Sequence, residues 1–121
     1  MNFIYVALGG ALGAVSRFGV SELVKNQTTS GFPTATLLAN LIGCLLIGVL
    51  WKLLAENEML NLLLIVGFLG GFTTFSSFGL DGYKLITNGN WSSFASYFLI
   101  SNIGGLLLVF VGTRAVEMFY K

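Results

Sequence analysis

Apolar residues fill four long stretches of the chain, and short polar segments separate them. The stretches run roughly from Phe3 to Leu23, from Thr34 to Leu54, from Asn61 to about Tyr83, and from Trp91 to Glu117. Each is close to the ~20 residues that an α-helix needs to cross the hydrocarbon core of a bilayer. The pattern therefore predicts four membrane-spanning helices, with both termini on the same side of the membrane.

Composition narrows the class further. The 121 residues, 55% hydrophobic and 9% charged, predict a single all-α integral membrane domain over residues 1–121, because soluble domains carry roughly 25% charged residues. One cysteine excludes an internal disulfide, and the lack of histidine removes the usual general base. A net charge of +1 gives no reason to expect nucleic acid. We therefore expect neither an enzyme nor a protein with a nucleic-acid or soluble protein partner.

Residues 67–79, inside the third predicted span, are unusual for a lipid-facing helix. Gly70 and Gly71 are adjacent, and poor helix formers follow at Thr73, Thr74, Ser76 and Ser77. Backbone groups left unpaired at membrane depth persist only where protein, an ion or water satisfies them. One interpretation is a helix broken in mid-membrane, whose halves meet at an ion site. The other is a close helix crossing through Gly67 and Gly71.

The same stretch carries three phenylalanines, Phe72, Phe75 and Phe78. Their three-residue spacing predicts that all three share roughly one face if the segment is helical.

The first span contains one firm charge, Arg17. It belongs to a stripe of small and polar residues that recur every four positions: Gly9, Gly13, Arg17 and Ser21. A charge inside a span normally faces the bundle interior or a water-filled vestibule, and marks a functional site. Alternatively, its side chain extends toward the membrane interface near Lys25.

Polar residues of the second and fourth spans also share faces. In the second span these are Thr36, Asn40 and Cys44, and in the fourth they are Tyr97, Ser101 and Gly105. A buried amide needs partners, so Asn40 either lines a polar path or makes an interhelical hydrogen bond. The fourth-span face is either a polar track or a packing surface of small residues.

Basic residues give almost no orientation signal. Lys25 and Lys84, with Arg17 nearby, lie toward one side, and Lys52, Arg114 and Lys121 lie toward the other. The positive-inside rule has no bias to act on when the two sides balance. Four short helices also enclose little space, so we expect a second copy, inserted antiparallel, to complete any pore.

Three motifs make the chain resemble the Fluc (CrcB) fluoride channels over its whole length. They are residues 9–18 (GGALGAVSRF), 36–43 (TLLANLIG) and 70–78 (GGFTTFSSF). The resemblance implies an antiparallel, dual-topology homodimer in the bacterial inner membrane, with two fluoride pores along the interface. It also implies a structural sodium ion at the centre, held by main-chain carbonyls where the two third helices break.

The resemblance also assigns roles to individual residues. Phe75 and Phe78 match the pore-lining phenylalanines, Asn40 the pore asparagine, and Arg17 the first-helix arginine. Gly70 and Thr73 match the carbonyl ligands of sodium. Further pore residues are expected at Thr74, Ser76, Tyr97 and Ser101. The chain departs from the family pattern at Ala35, Gly79, Asp81 and Gly105.

These residue types suit passive fluoride export. Neutral amide and hydroxyl donors can replace the water around fluoride without trapping it as a fixed cation would. Phenylalanine adds an electropositive ring edge. A rival class, the small multidrug-resistance exporters with proton-coupled transport, needs a carboxylate buried in the first span, where this chain has Arg17. A non-transporting scaffold would explain the glycines but not the hydroxyl and phenylalanine cluster.

Overall fold

The computed structural model describes residues 1–27 and 31–120, and all of its regular structure is helical. Its helices are α1 (Asn2–Lys25), α2 (Thr34–Leu53), α3 (58–72), α4 (Phe75–Thr87) and α5 (Trp91–Phe119). Within that part of the chain, four segments are long and apolar enough to span a membrane: α1, α2, the combined segment Glu58–Thr87, and α5. The predicted all-helical fold with four long apolar segments is therefore confirmed.

The predicted element boundaries differ from the observed ones by a few residues. The largest difference is in the third segment, which begins at Glu58 and continues to Thr87. Asn57 explains the early start, because its Oδ1 accepts a hydrogen bond from the Leu60 N–H at 3.0 Å. Part of the loop predicted between α1 and α2, residues 28–30, lies outside the described residues, as does Lys121.

The turn Asn88-Gly89-Asn90 joins α4 to α5. Gly89 has a φ of 76°, which favours glycine because it has no Cβ. The Asn90 N–H reaches back to the Leu85 carbonyl at 2.8 Å, which satisfies one of the last carbonyls of α4. This turn brings the start of α5 against α4.

Helices α1 and α3 pack with their backbones in contact. A Cβ placed on Gly9 or Gly13 of α1 would overlap the backbone of α3, at the Leu63 and Phe68 carbonyls. From the other side, a Cβ on Gly71 would overlap the backbone of α1. Small residues permit this approach, which gains dispersion contacts between helices. The predicted packing role of Gly67 and Gly71 is therefore observed.

Helices α2 and α5 form a second close pair. Gly48 and Gly112 meet backbone atoms of the facing helix. Next to them, the Trp51 Nε1–H donates to Thr113 Oγ1, and the Thr113 hydroxyl donates to the Gly48 carbonyl, both at 3.0 Å. At the same end of the pair, Glu117 of α5 binds both Lys52 and Arg114.

Two extended residues separate α3 from α4. Thr73 has φ and ψ of −85° and 156°, and Thr74 has −149° and 115°. Helical dihedrals resume at Phe75, and Thr74 Oγ1 accepts a hydrogen bond from the Ser77 N–H at 3.1 Å, as an N-cap does. The interruption therefore falls at the two threonines and not at the double glycine, because Gly70 and Gly71 remain in α3.

Two stretches are wound more widely than an α-helix. They are Asn61–Leu69 in α3 and Ile100–Gly104 in α5, where the hydrogen bonds follow the π pattern. Such segments are rare and often occur near functional sites. Gly105, directly after the second one, lies against Cys44 of α2.

Candidate functional site

The interruption between α3 and α4 is held in place by Asn40 of α2. The Asn40 Nδ2–H donates to the Thr74 carbonyl at 3.1 Å, and the Thr74 N–H donates to Asn40 Oδ1 at 2.8 Å. One side chain thus pairs with both backbone groups of an extended residue. The predicted need of this amide for partners is met across helices, and one Nδ2–H remains beyond the one given to Thr74.

Arg17 of α1 binds the other side of the interruption. Its Nε–H donates to the Gly71 carbonyl at 3.1 Å. The side chain is therefore directed into the bundle, and it is not extended toward the interface near Lys25. A carbonyl near a helix end lacks its usual partner, so the guanidinium satisfies a group that the interruption would leave free.

Two further carbonyls at the interruption lose their helical partners. The Thr74 N–H, which would bind the Gly70 carbonyl in a continuous helix, donates to Asn40. The Ser77 N–H, which would bind the Thr73 carbonyl, donates to Thr74 Oγ1. Both Gly70 and Thr73 line the same cavity. Neither carbonyl oxygen thus has the N–H partner that a continuous helix would give it.

This first cavity, of about 360 Å³, lies between α2, α3, α4 and α5. Its polar lining combines backbone and neutral side chains, contributed by Asn40, Cys44, Gly70, Thr73, Thr74, Ser101 and Asn102. Its apolar lining includes Phe75 and Phe78. No charged residue of the described part of the chain lines it, so the cavity is lined by neutral polar groups and phenyl rings without a fixed charge.

A second cavity, of about 300 Å³, lies between α1, α2 and α4. Its lining includes Arg17, Ser21, Thr36, Thr74 and Ser77. Thr74 lines both cavities. The Asn40–Thr74 pair therefore lies between two different cavities. The positively charged Arg17 side chain lines the second cavity, and neutral residues of the described chain line the first.

Phe75 and Phe78 are neighbours with very different surroundings. Their ring centroids lie 5.7 Å apart at an interplanar angle of 37°. Phe75 is 82% exposed in the single chain. Phe78 instead packs against Tyr97, with centroids 5.1 Å apart, and against Phe98. One ring is thus fixed inside the chain, and the other is free to contact something outside it.

Phe72 does not share the face of these two rings, so the expectation from its spacing is wrong. It is buried, and it stacks on Phe68 with centroids 5.8 Å apart and 10° between the planes. The reason is the interruption at Thr73 and Thr74, which ends the helical register on which the three-residue spacing depends.

The remaining predicted site residues fall into three situations. Ser101 lines the first cavity, and its Oγ is buried without a hydrogen-bond partner in the described residues. Tyr97 is fully buried, and its hydroxyl donates to Asp81 Oδ2 at 3.2 Å. Its ring packs against Phe78. Ser76 is exposed and outside both cavities, with its Oγ 3.3 Å from Thr74 Oγ1.

Sequence reasoning missed two features of the site. The Tyr97–Asp81 bond joins α5 to α4, and no local spacing reveals a pair that depends on the packing of two helices. Ser77 supplies the N–H that caps α4. Threonine is a preferred N-cap residue, so Thr74 itself could have revealed that one.

Comparison with known proteins places the chain. The family model described as "CrcB-like protein, Camphor Resistance (CrcB)" matches residues 4–113. A protein of Chloroflexus aurantiacus named fluoride-specific ion channel FluC is 39% identical, with 98% of this chain and 97% of that protein covered. One from Listeria monocytogenes, named fluoride-specific ion channel FluC 2, is 42% identical, with 93% and 88% covered. One from Ruminiclostridium cellulolyticum, also named fluoride-specific ion channel FluC, is 48% identical over a shorter stretch, with 74% and 72% covered.

The family match spans all four long helical segments except the last residues of α5. It therefore includes the Asn40–Thr74 pair, the Arg17 contact and both phenylalanines. Since relatives near 40% identity also match almost from end to end, this multi-pass membrane protein belongs to the CrcB family.

Proposed function

We propose that the chain is a passive, fluoride-selective channel that exports fluoride from the bacterial cytoplasm across the inner membrane. The observation that carries the proposal is the near end-to-end match to relatives named fluoride-specific ion channels. Hydrogen fluoride crosses membranes as a neutral acid and dissociates inside the cell, so a passive path for the anion relieves its accumulation without energy coupling.

The first cavity suits a small, strongly hydrated anion. Asn40 has a remaining amide N–H, and Ser101 has a hydroxyl that no described residue binds. Neutral donors of this kind can replace water around fluoride and still release it. Phe75 and Phe78 lie beside them, and their ring edges carry partial positive charge. We assign the fluoride path to this cavity.

The second cavity serves as a vestibule in this proposal. Arg17 lines it and would attract anions toward the Asn40–Thr74 pair. Its Nε–H is bound to the Gly71 carbonyl, which fixes the guanidinium beside the path. The cation thus raises the local anion concentration without being the tightest binding point.

Two antiparallel copies would complete each pore. Phe75 is 82% exposed and Gly70 is also exposed in the single chain, although both line the first cavity. A second copy facing this surface would cover both residues, and twofold symmetry would give two pores. The balanced basic residues of the sequence are consistent with insertion in both orientations.

A structural sodium ion would lie where the two interruptions face each other. No group of three or more His, Cys, Asp or Glu side chains in the described residues could hold a metal, so ligands would come from the main chain. The Gly70 and Thr73 carbonyls fit this role because their helical N–H partners bind Asn40 and Thr74 instead. Hard oxygen ligands without carboxylates suit an alkali cation, which would add fixed positive charge near the path.

Purified protein in liposomes loaded with fluoride tests the proposal directly. We expect rapid efflux, read by a fluoride electrode, and negligible efflux from matched liposomes loaded with chloride. Proton-coupled export of a cationic drug without fluoride efflux would identify the small multidrug-resistance class and contradict the proposal.

Topology is tested separately in cells. A reporter fused at Lys121 should be found on both sides of the membrane in comparable amounts. A reporter found on one side only would contradict the antiparallel arrangement for this chain acting alone.

A further inference from the structure

The thiol of Cys44 occupies the space beside Gly105. A Cβ built on Gly105 would lie 3.1 Å from Cys44 Sγ, which is closer than an ordinary van der Waals contact. Gly105 is buried, and it directly follows the π-helical turn Ile100–Gly104 of α5. A Cβ at position 105 would therefore require the thiol to move by a few tenths of an ångström.

Cys44 also lines the first cavity, together with Ser101 and Asn40. Within residues 1–27 and 31–120, neither the buried Ser101 Oγ nor the Cys44 thiol has a hydrogen-bond partner. Two other polar residues of the lining are already committed: the Thr73 hydroxyl donates to the Leu69 carbonyl and the Asn102 amide donates to the Phe98 carbonyl, both at 2.8 Å. The free donors of Ser101 and Cys44 thus line the same cavity.

We propose that Cys44 is a permeation-determining residue. Its side chain extends the fluoride path one helical turn beyond Asn40 and sets the width of that path beside Gly105. The inference rests on the proposed channel function. Residues four apart on a helix are displaced by about 6 Å along its axis, so the thiol forms the next polar step on the α2 side of the cavity. A thiol is a weak donor, and its bulk fills the space that Gly105 leaves open.

Modification of the thiol gives a direct test, because Cys44 is the only cysteine in the chain. Methyl methanethiosulfonate converts a thiolate to a methyl disulfide and releases methanesulfinate. We expect it to reduce fluoride efflux from wild-type liposomes several-fold. Cys44→Ser, which keeps a donor of similar size, should conduct better than Cys44→Ala, and both should be insensitive to the reagent.

A cysteine elsewhere in the protein serves as the matched control. Leu12, on α1, is 61% exposed and outside both cavities. Leu12→Cys in the Cys44→Ser background should be labelled without loss of efflux. Intact mass measures the label in each sample. Fully labelled wild-type protein with unchanged efflux would overturn the inference, and so would folded wild-type protein whose thiol does not react at all.

The contact with Gly105 gives a second test that does not depend on thiol chemistry. Gly105→Ala should lower both efflux and the thermal unfolding temperature, because the new methyl group displaces the thiol. Cys44→Ala in the same chain should restore part of both. Gly104→Ala is the control, since its Cβ would lie 3.5 Å from Leu41 and needs no displacement. If the efflux and unfolding temperature of Gly105→Ala stay low after Cys44→Ala is added, the side chains at positions 44 and 105 do not compete for the same space.

Failure of this inference can be told apart from failure of the proposed function. If wild-type liposomes release no fluoride, the channel proposal is wrong. If they release fluoride and complete modification of Cys44 leaves the rate unchanged, the channel proposal stands and the thiol lies off the path.

Discussion

The two parts of the third segment, α3 and α4, are held by opposite means. Helix α3 packs on α1 at glycines that have no side chain. A Cβ atom on Gly9 or Gly13 would overlap the backbone of α3. Helix α4 is held by side chains, through the Asn40–Thr74 pair at its start and the Tyr97–Asp81 bond further along. The glycine contact that positions α3 is therefore defined mainly by volume, with the Arg17 bond to the Gly71 carbonyl beside it, and the contacts that position α4 are directional and polar.

This difference separates the residues that maintain the fold from those that can bind an ion. An interface of glycines tolerates almost no substitution, but it offers no donors beyond the backbone. The polar contacts around α4 leave groups over, such as the second Nδ2–H of Asn40 and the Gly70 and Thr73 carbonyls. Substitutions at the α1–α3 contact should therefore cost folding, and substitutions around α4 should cost transport first.

The largest effect is expected from Gly13→Val, which places a branched side chain against the α3 backbone. Overpacking costs typically ~1–3 kcal/mol and more where backbone must move, so we expect loss of most folded protein, measured by size-exclusion chromatography in detergent. Gly19→Val on the same helix is the control, because a Cβ there meets nothing within 4 Å. Equal yields from the two variants would show that the close α1–α3 contact is not required for folding.

Asn40→Asp should have the next largest effect. A carboxylate cannot donate to the Thr74 carbonyl, and its charge repels an anion. A buried polar group left unsatisfied costs about 1–3 kcal/mol, which corresponds to roughly 5-fold to 160-fold in an equilibrium. We expect fluoride efflux to fall by about that factor or further. Asn88→Asp, in the turn after α4, is the control. If Asn40→Asp released fluoride at the wild-type rate, the Asn40–Thr74 pair would not be part of the fluoride path.

Phe75→Ile and Phe78→Ile separate two roles of the phenylalanines on α4, one in fluoride transport and one in packing. Both should reduce fluoride efflux strongly, because isoleucine has similar bulk without an electropositive ring edge. Only Phe78→Ile should also lower the unfolding temperature of the protein, because Phe78 packs on Tyr97 and Phe98 inside the chain. Phe3→Ile, at an exposed position on α1, is the control for efflux. Unchanged efflux from both variants would show that the pore lies elsewhere.

A moderate effect is expected at the proposed sodium site. Gly70 and Gly79 both have open space around them in the single chain, so Gly70→Val and Gly79→Val differ only if a second copy faces Gly70. We expect Gly70→Val alone to weaken the dimer, measured by mass photometry in detergent. Equal dimer fractions for the two variants would contradict a dimer in which the α3–α4 interruptions of the two copies face each other.

The smallest effect is expected for Thr73→Ser, because its proposed contact with sodium is through the main chain. The efflux of this variant should remain close to that of the wild type. Replacing sodium by a large organic cation should instead lower efflux or dimer stability in both proteins, with the fluoride reversal potential unchanged. A reversal potential that follows the sodium gradient would mean coupled transport.

The sequence predicted the features that depend on composition and on short spacing. Four apolar stretches of sufficient length led to the four long helices, and the threonines after Gly71 marked the place where helical structure fails. The packing interpretation of residues 67–79 is observed, because Gly67 and Gly71 pack on α1. The chain leaves helical geometry two residues after Gly71, and the mid-membrane ion site of the other interpretation stays a prediction.

The partners across helices could not be predicted. The need of Asn40 for a partner was evident, but the choice of the Thr74 backbone depends on how α2 approaches the interruption. Phe72 was misplaced for a similar reason, because its direction depends on where the helical register ends. Tyr97 carries a donor that the sequence assigned to the pore, yet the fold commits it to Asp81.

The hydrogen-bonded crossing of α2 and α5 gives the molecule an optical reporter. The chain has two tryptophans, and the indole of Trp51 is bound to Thr113 across that crossing. In a Trp91→Phe variant, the emission of Trp51 would report the separation of α2 from α5 alone. Since the same helix pair brings Cys44 to Gly105 a few turns away, fluorescence during unfolding would show whether this wall of the cavity opens before or after the rest of the protein.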